Sequence, residues 1–176
     1  KMNMIDAIST RRSVRQFTSQ PISDDALQTI LAAGMSGPSA VNARPWSFLV
    51  VRDQDTLCKM ADGNGSAAQP LKGAALGILV LGDMTRTFER APEYWVVDGS
   101  IAAQNMILAA HSLGIGSVWL GTWPQEEKIN AQRQIFNLPE SAVPHSIIAF
   151  GYPAESQKNI PARGGYEEDR VHFEKW

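Results

Sequence analysis

The stretch from Trp95 to Gly121 is the longest apolar run in the sequence, and it restricts the fold more than any other feature. From Asp98 onward, Ile101, Ala102, Met106, Leu108, Ala109, Ala110 and Leu113 cover more than the single stripe of a surface helix. The spacing therefore predicts a helix packed on several sides, with part of that packing available to another subunit. Gly114 follows directly and can take the left-handed conformation that stops a helix. Ser117-Val118-Trp119-Leu120 then reads as a short strand ending at Gly121. Two readings are open: a plain core helix, cap and strand, or a buried helix that delivers a backbone turn to a cofactor.

At 176 residues the chain is most naturally one domain, large enough to bury a core without disulfides or a structural metal. A formal charge of -2 and a pI of about 5.9 remove any global electrostatic reason to expect nucleic acid or an anionic membrane as partner. Cys58 is the one cysteine, and His111, His145 and His172 are scattered, so neither a disulfide framework nor a metal-ligand spacing is present. A reducing, cytoplasmic compartment fits this usage. The sequence has no apolar run of about eighteen residues and no secretory apolar region at its start.

Met4, Ile5 and Ile8 lie at helical spacing and predict a short amphipathic helix over 4–10. Arg11-Arg12-Ser13-Val14-Arg15 follows it. Three arginines within five residues offer planar, permanently charged donors suited to a phosphate, and a solvated basic turn is the alternative. Ser23 reads as the N-cap of a helix that stops near Gly34, with Asp24 and Asp25 in its first turn. The loop Gly37–Trp46 can bring small side chains and backbone close to a flat ligand, or it is an ordinary connection with Trp46 plugged into the core. A strand is expected over 47–51, a helix capped by Asp53 and broken at Asp62–Gly65, and a central strand over 74–81. Gly63-Asn64-Gly65-Ser66-Ala67-Ala68 matches a dinucleotide-binding pattern formally, but a helix precedes it and Pro70 interrupts soon after, so that match is rejected. Met84–Pro92 reads as irregular or a short helix, either a solvated connection or a lid. Pro124 fits the first position of a further helix, and 145–151 reads as a buried strand. Beyond Pro153 a polar, Pro- and Gly-rich stretch ends in Val171, Phe173 and Trp176, suggesting an arm that docks elsewhere. The turns do not force an all-parallel sheet, and the expected class is α+β.

In this order the pieces resemble the FMN-dependent nitroreductase family over nearly the whole chain. The resemblance rests on Arg11–Arg15, on Pro38-Ser39-Ala40 with Asn42 and Pro45-Trp46, on the Gly114–Gly121 turn and strand after Ala103-Gln104-Asn105, and on the arm with Arg163. It implies a mixed sheet flanked by helices, and a homodimer with FMN at the interface in which residues 153–176 reach across the partner. It further implies that Arg11, Arg12, Ser13 and Arg15 hold the phosphate and nearby flavin edge, and that Arg163 reaches the phosphate. Pro38, Ser39, Ala40 and Asn42 would come from the other subunit against the ring, and Leu120 and Gly121 would present backbone groups near N5. The implied activity is ping-pong transfer from NADH or NADPH to a small-molecule acceptor such as a nitroaromatic or quinone, with no protein nucleophile. Dehalogenation, ene reduction, flavin-oxygen chemistry or simple flavin binding are the alternatives. Arg44 stands where many relatives carry glutamine, and His111 is expected to be a satisfied core histidine rather than a catalyst.

Overall fold

A computed structural model describes residues 2–161 and 164–176, so the expected role of Arg163 lies outside the described residues. Among them are five α-helices, α1 (Met4–Thr10), α2 (Asp24–Met35), α3 (Gln54–Gly63), α4 (Tyr94–Ser112) and α5 (Glu126–Phe136). Four strands, β1 (Trp46–Val51), β2 (Leu76–Asp83), β3 (Gly116–Gly121) and β4 (Ala142–Gly151), form one sheet in the order β1-β2-β4-β3. The class is α+β, as expected.

The three-layer arrangement follows from the strand side chains. β2 is buried on both faces, which is why it reads as a continuous apolar run instead of an alternating one. Leu76, Ile78 and Val80 pack with Ile30 of α2 and Ala103, Met106 and Ile107 of α4. Leu79 and Leu81 point the other way, toward Leu57 and Met60 of α3 and toward Leu71 in the 3-10 turns of Ser66–Gly73. Close approach of α2 to α4 needs Gly34, where a Cβ would stand 2.7 Å from Met106 Cγ.

Local signals placed the starts of α2 and α3. Ser23 Oγ accepts from the Ala26 N–H, and Asp53 Oδ2 accepts from the Thr56 N–H at 2.9 Å. Gly114 takes φ +76 after α4, as a helix-stopping glycine should.

Several expectations are corrected. All strand pairs are antiparallel, and the parallel character of the expected mixed sheet is confined to a single bridge, Ser13 to Ser117. Pro124 does not open α5. The Gln125 N–H donates to the Thr122 carbonyl at 2.9 Å, so the chain makes one more tight turn and Gln125 becomes the N-cap. β4 begins at Ala142, three residues before His145, because its start pairs with Asp83 at the far end of β2. α1 keeps its expected bounds but turns Met4, Ile5 and Ile8 outward and buries only Ala7. α4 is packed on several sides, as expected, against the sheet, α2, α1 and the Ala40–Asn42 turn, and Val97 is left exposed. His111 is half-buried, not core, with its Nε2 2.9 Å from Thr10 Oγ1. No described helix is long and apolar enough to cross a membrane, and the described residues contain no cluster of three or more potential metal ligands.

Candidate functional site

The arginine segment is laid flat against one corner of the sheet. Val14 donates its N–H to the Ser117 carbonyl at 2.9 Å, Thr18 to Tyr152 at 2.8 Å, and Ala154 to Gln16 at 2.9 Å. What allows this contact is a glycine pair: Gly116 of β3 and Gly151 of β4 are partners in register. A Cβ on Gly116 would lie 2.8 Å from Val14 Cβ, and one on Gly151 would lie 2.8 Å from the Phe17 ring. Val14 and Phe17 thus plug the corner, and the residues around them are presented away from it.

Arg11 and Ser13 line a hollow of about 310 Å³ together with Ser100 and Gln104 of α4 and Ser117 and Trp119 of β3. Arg15 lines a second hollow of about 420 Å³ with Asn64, Leu120, Gly121 and Lys128. Half-exposed Trp119 is a wall of both, so the two hollows flank one indole. Arg12 belongs to the same segment. Its Nε is buried without a hydrogen-bond partner, a cationic donor for which the described residues supply no acceptor.

The turn at the end of β3 is fixed from beneath. Buried Asn64 donates from Nδ2 to the Gly121 carbonyl at 3.1 Å and accepts from Thr122 Oγ1 at 2.9 Å. Lys128 Nζ lies 3.5 Å from the same carbonyl. Asn64, Lys128, Trp119 and Ser100 were not singled out by the sequence. Asn64 reads there only as part of a helix break, because its partners are 57 and 58 residues away.

Pro38, Ser39, Ala40 and Asn42 lie elsewhere. Val41, Asn42 and Arg44 take φ of 48°, 56° and 53°, three left-handed residues without glycine around right-handed Ala43, a turn that costs conformational energy and needs to be held. It is held by Asp98 of α4, whose carboxylate accepts from the Ala40 N–H at 3.2 and 3.3 Å, and by Ser39 Oγ, which accepts from the Arg44 N–H at 3.0 Å. Burial pushes the Asp98 carboxyl up, and the Ala40 hydrogen bond opposes this only in part. The Arg44 guanidinium sits over its own Trp46, 5.1 Å from the ring centroid. Pro38, Ser39 and Ala40 line a third, strongly apolar hollow of about 400 Å³ with Phe88, Tyr94 and Val97. Met84–Pro92 is irregular, without the short helix that the sequence also allowed, and contributes Phe88 to that wall. Within one chain, then, Arg11, Ser13, Arg15, Leu120 and Gly121 come together, while Pro38–Asn42 lies on another flank of α4.

The model of the nitroreductase family matches residues 8–79 and 63–152, which between them take in the arginine segment, the strained turn and all four strands. The chain belongs to the nitroreductase family. A protein from Methanothermobacter thermautotrophicus with the provisional name NADH dehydrogenase/NAD(P)H nitroreductase is 43% identical over 176 residues, all of this chain and 89% of that one. A crystal structure of a provisionally named nitroreductase from Desulfovibrio desulfuricans, solved in complex with FMN, is 32% identical with a TM-score of 0.76 and covers 93% of each chain. An FMN-dependent nitroreductase from Clostridium difficile R20291 is 27% identical with a TM-score of 0.88, over 98% of this chain and 99% of its own.

One buried histidine of this nitroreductase-family chain has a consequence for stability. His145 on β4 places Nε2 2.9 Å from the Val96 carbonyl and 3.2 Å from Ser100 Oγ, and Nδ1 2.9 Å from Ser146 Oγ. Burial holds its pKa below the ordinary 6.5, against the partial pull of the Val96 carbonyl. The folded protein therefore keeps the ring neutral where the unfolded chain takes up a proton. Stability is full above the ordinary value and falls as pH drops from there toward the depressed one. Half-buried His111, lowered by burial and by Arg11, acts with the same sign. Denaturant unfolding between pH 7.5 and 5.5 should show a loss of at most about 1.4 kcal/mol per pH unit for each such group, and His145→Gln should flatten the slope. Equal slopes in both proteins would remove His145 from this role.

Proposed function

We propose that the two hollows flanking Trp119 hold FMN, and that the chain is an NAD(P)H-dependent oxidoreductase for small conjugated acceptors such as nitroaromatics or quinones. The observation that carries this reading is the unpartnered, buried Nε of Arg12 within a segment that also presents Arg11, Ser13 and Arg15. A phosphate supplies the acceptors that these donors lack. The residues fit the rest of the group as well, since a flat ring needs a wall such as Trp119 and a rigid backbone turn such as Leu120-Gly121.

When bound, FMN supplies the capacity to accept a hydride and pass the electrons on. The chain does the rest. Arg11, Arg12, Ser13 and Arg15 bind and neutralise the phosphate, and Arg163 is carried as a further phosphate ligand. Asn64 keeps the Gly121 carbonyl from turning, so the neighbouring backbone donors of β3 stay aimed. Trp119 shields the site from water on one side.

The reading includes a homodimer in which Pro38, Ser39, Ala40 and Asn42 of a second copy cover the ring. Its support is the separation of that turn from the arginine hollows within one chain, together with the uncovered apolar side chains of α1, Phe173 and Trp176. The arm of residues 153–176 would then reach across the partner, in a single domain. A cytoplasmic setting accords with the lone thiol of Cys58.

Reductant and acceptor use the same face in turn, which is a ping-pong scheme. Initial rates measured with NADPH or NADH against a quinone should give parallel double-reciprocal lines. Intersecting lines would show both substrates bound together and overturn the shared-face scheme.

A further inference from the structure

Lys128 is electrostatically out of place in its helix. It sits in the first turn of α5, beside Glu126 and Glu127, where the backbone dipole favours acidic side chains and disfavours a cation. Its side chain folds back instead, away from the helix and over the break that follows α3. A Cβ on Gly65 would lie 3.7 Å from Lys128 Cε, which places the stem in packing distance of that break. The ammonium ends half-buried beside Gly121, 3.5 Å from its carbonyl. None of the ion pairs among the described residues includes it, not even one with the adjacent glutamates. An ammonium has three donors, and that single long contact leaves donors free to face the hollow lined by Leu120, Gly121 and Arg15.

We propose that Lys128 makes this site bind the reduced cofactor more tightly than the oxidised one, and so raises its reduction potential. The inference rests on reading these hollows as an FMN site. Lys128 meets the negative charge that a hydride adds to the ring: two electrons and one proton arrive, NAD(P)+ leaves, and the ring system gains one net negative charge. A fixed cation in a partly water-excluded hollow interacts strongly with such a charge and little with the neutral oxidised ring. The unfavourable placement in α5 is thereby offset when the charge appears. Arg15 lines the same hollow from the arginine segment and Asn64 is neutral, so Lys128 is the cation that stands beside the Gly121 turn.

The test compares wild type, Lys128→Met and Lys128→Arg, each loaded with FMN, by anaerobic equilibration against a reference dye and by fluorescence titration of oxidised FMN. Lys128→Met is expected to keep oxidised FMN within about threefold of wild type and to lose about tenfold in preference for the reduced form. For a two-electron couple that loss is a midpoint about 30 mV lower. Lys128→Arg keeps the charge and should stay near the wild-type midpoint. Unchanged midpoints in all three loaded proteins would overturn the role of Lys128 while leaving the FMN site standing. So would a Lys128→Met protein that weakens both redox forms equally. A wild type that takes up no FMN would overturn the site and this inference together.

Discussion

Gly116→Ala and Gly151→Ala are each expected to lower the melting temperature by about 2–10 °C and to weaken FMN binding at least tenfold. The stability effect follows from overpacking, which costs about 1–3 kcal/mol when a side chain must leave a filled position. At Gly116 the added methyl meets Val14 Cβ at 2.8 Å and both its Cγ atoms at 2.9 Å, and because the first of these is Cβ itself no change of rotamer relieves the contact. At Gly151 it meets the rigid ring of Phe17. The relief available is to lift residues 14–17 off the sheet corner, and that displaces the neighbouring Arg11, Ser13 and Arg15 from the two hollows. Gly73→Ala is the control, since nothing lies within 4 Å of its added Cβ. Scanning calorimetry with and without FMN reads both effects. Wild-type melting and wild-type FMN affinity in both variants would show that the corner does not hold the arginine segment.

Arg12→Ala should weaken FMN by roughly 10- to 150-fold, the range given by charge-assisted hydrogen bonds of about 1.5–3 kcal/mol. Its effect on the cofactor-free protein should have the opposite sign or be near zero. The substitution removes a buried Nε donor that has no partner among the described residues, so the free protein loses no hydrogen bond from it. That divergence separates a binding role from a structural one. Arg12→Lys keeps the charge but not the planar fork, and should fall between the two. Isothermal titration with FMN, alongside urea unfolding of the free protein, measures both. Unchanged affinity in Arg12→Ala would remove Arg12 from the phosphate site.

The starts of α2 and α3 were legible in the sequence because a cap is a local event. Ser23 and Asp53 bond N–H groups three residues ahead, so side-chain type and position suffice. The central strand β2 was legible because burial on both faces leaves a continuous apolar run. Arg11, Ser13 and Arg15 could be found because clustered guanidinium groups are rare enough to stand out. Asn64 and Lys128 could not, because what defines them is the Gly121 carbonyl, reached only after the sheet brings distant segments together. The strained turn at Val41, Asn42 and Arg44 was missed for a different reason. Left-handed backbone at valine and arginine is imposed by Asp98 and Ser39, not by any preference of the residues themselves. Helical spacing located α1, but it could not say that Met4, Ile5 and Ile8 face away from the chain's own core.

The most direct measurement is the visible absorption of the purified protein after incubation with FMN and desalting, followed by anaerobic addition of NADPH or NADH. A retained flavin spectrum at close to one FMN per chain is expected, bleached by at least one of the two nucleotides. A protein that emerges colourless from desalting, or one whose bound flavin stays oxidised with both nucleotides, would contradict it.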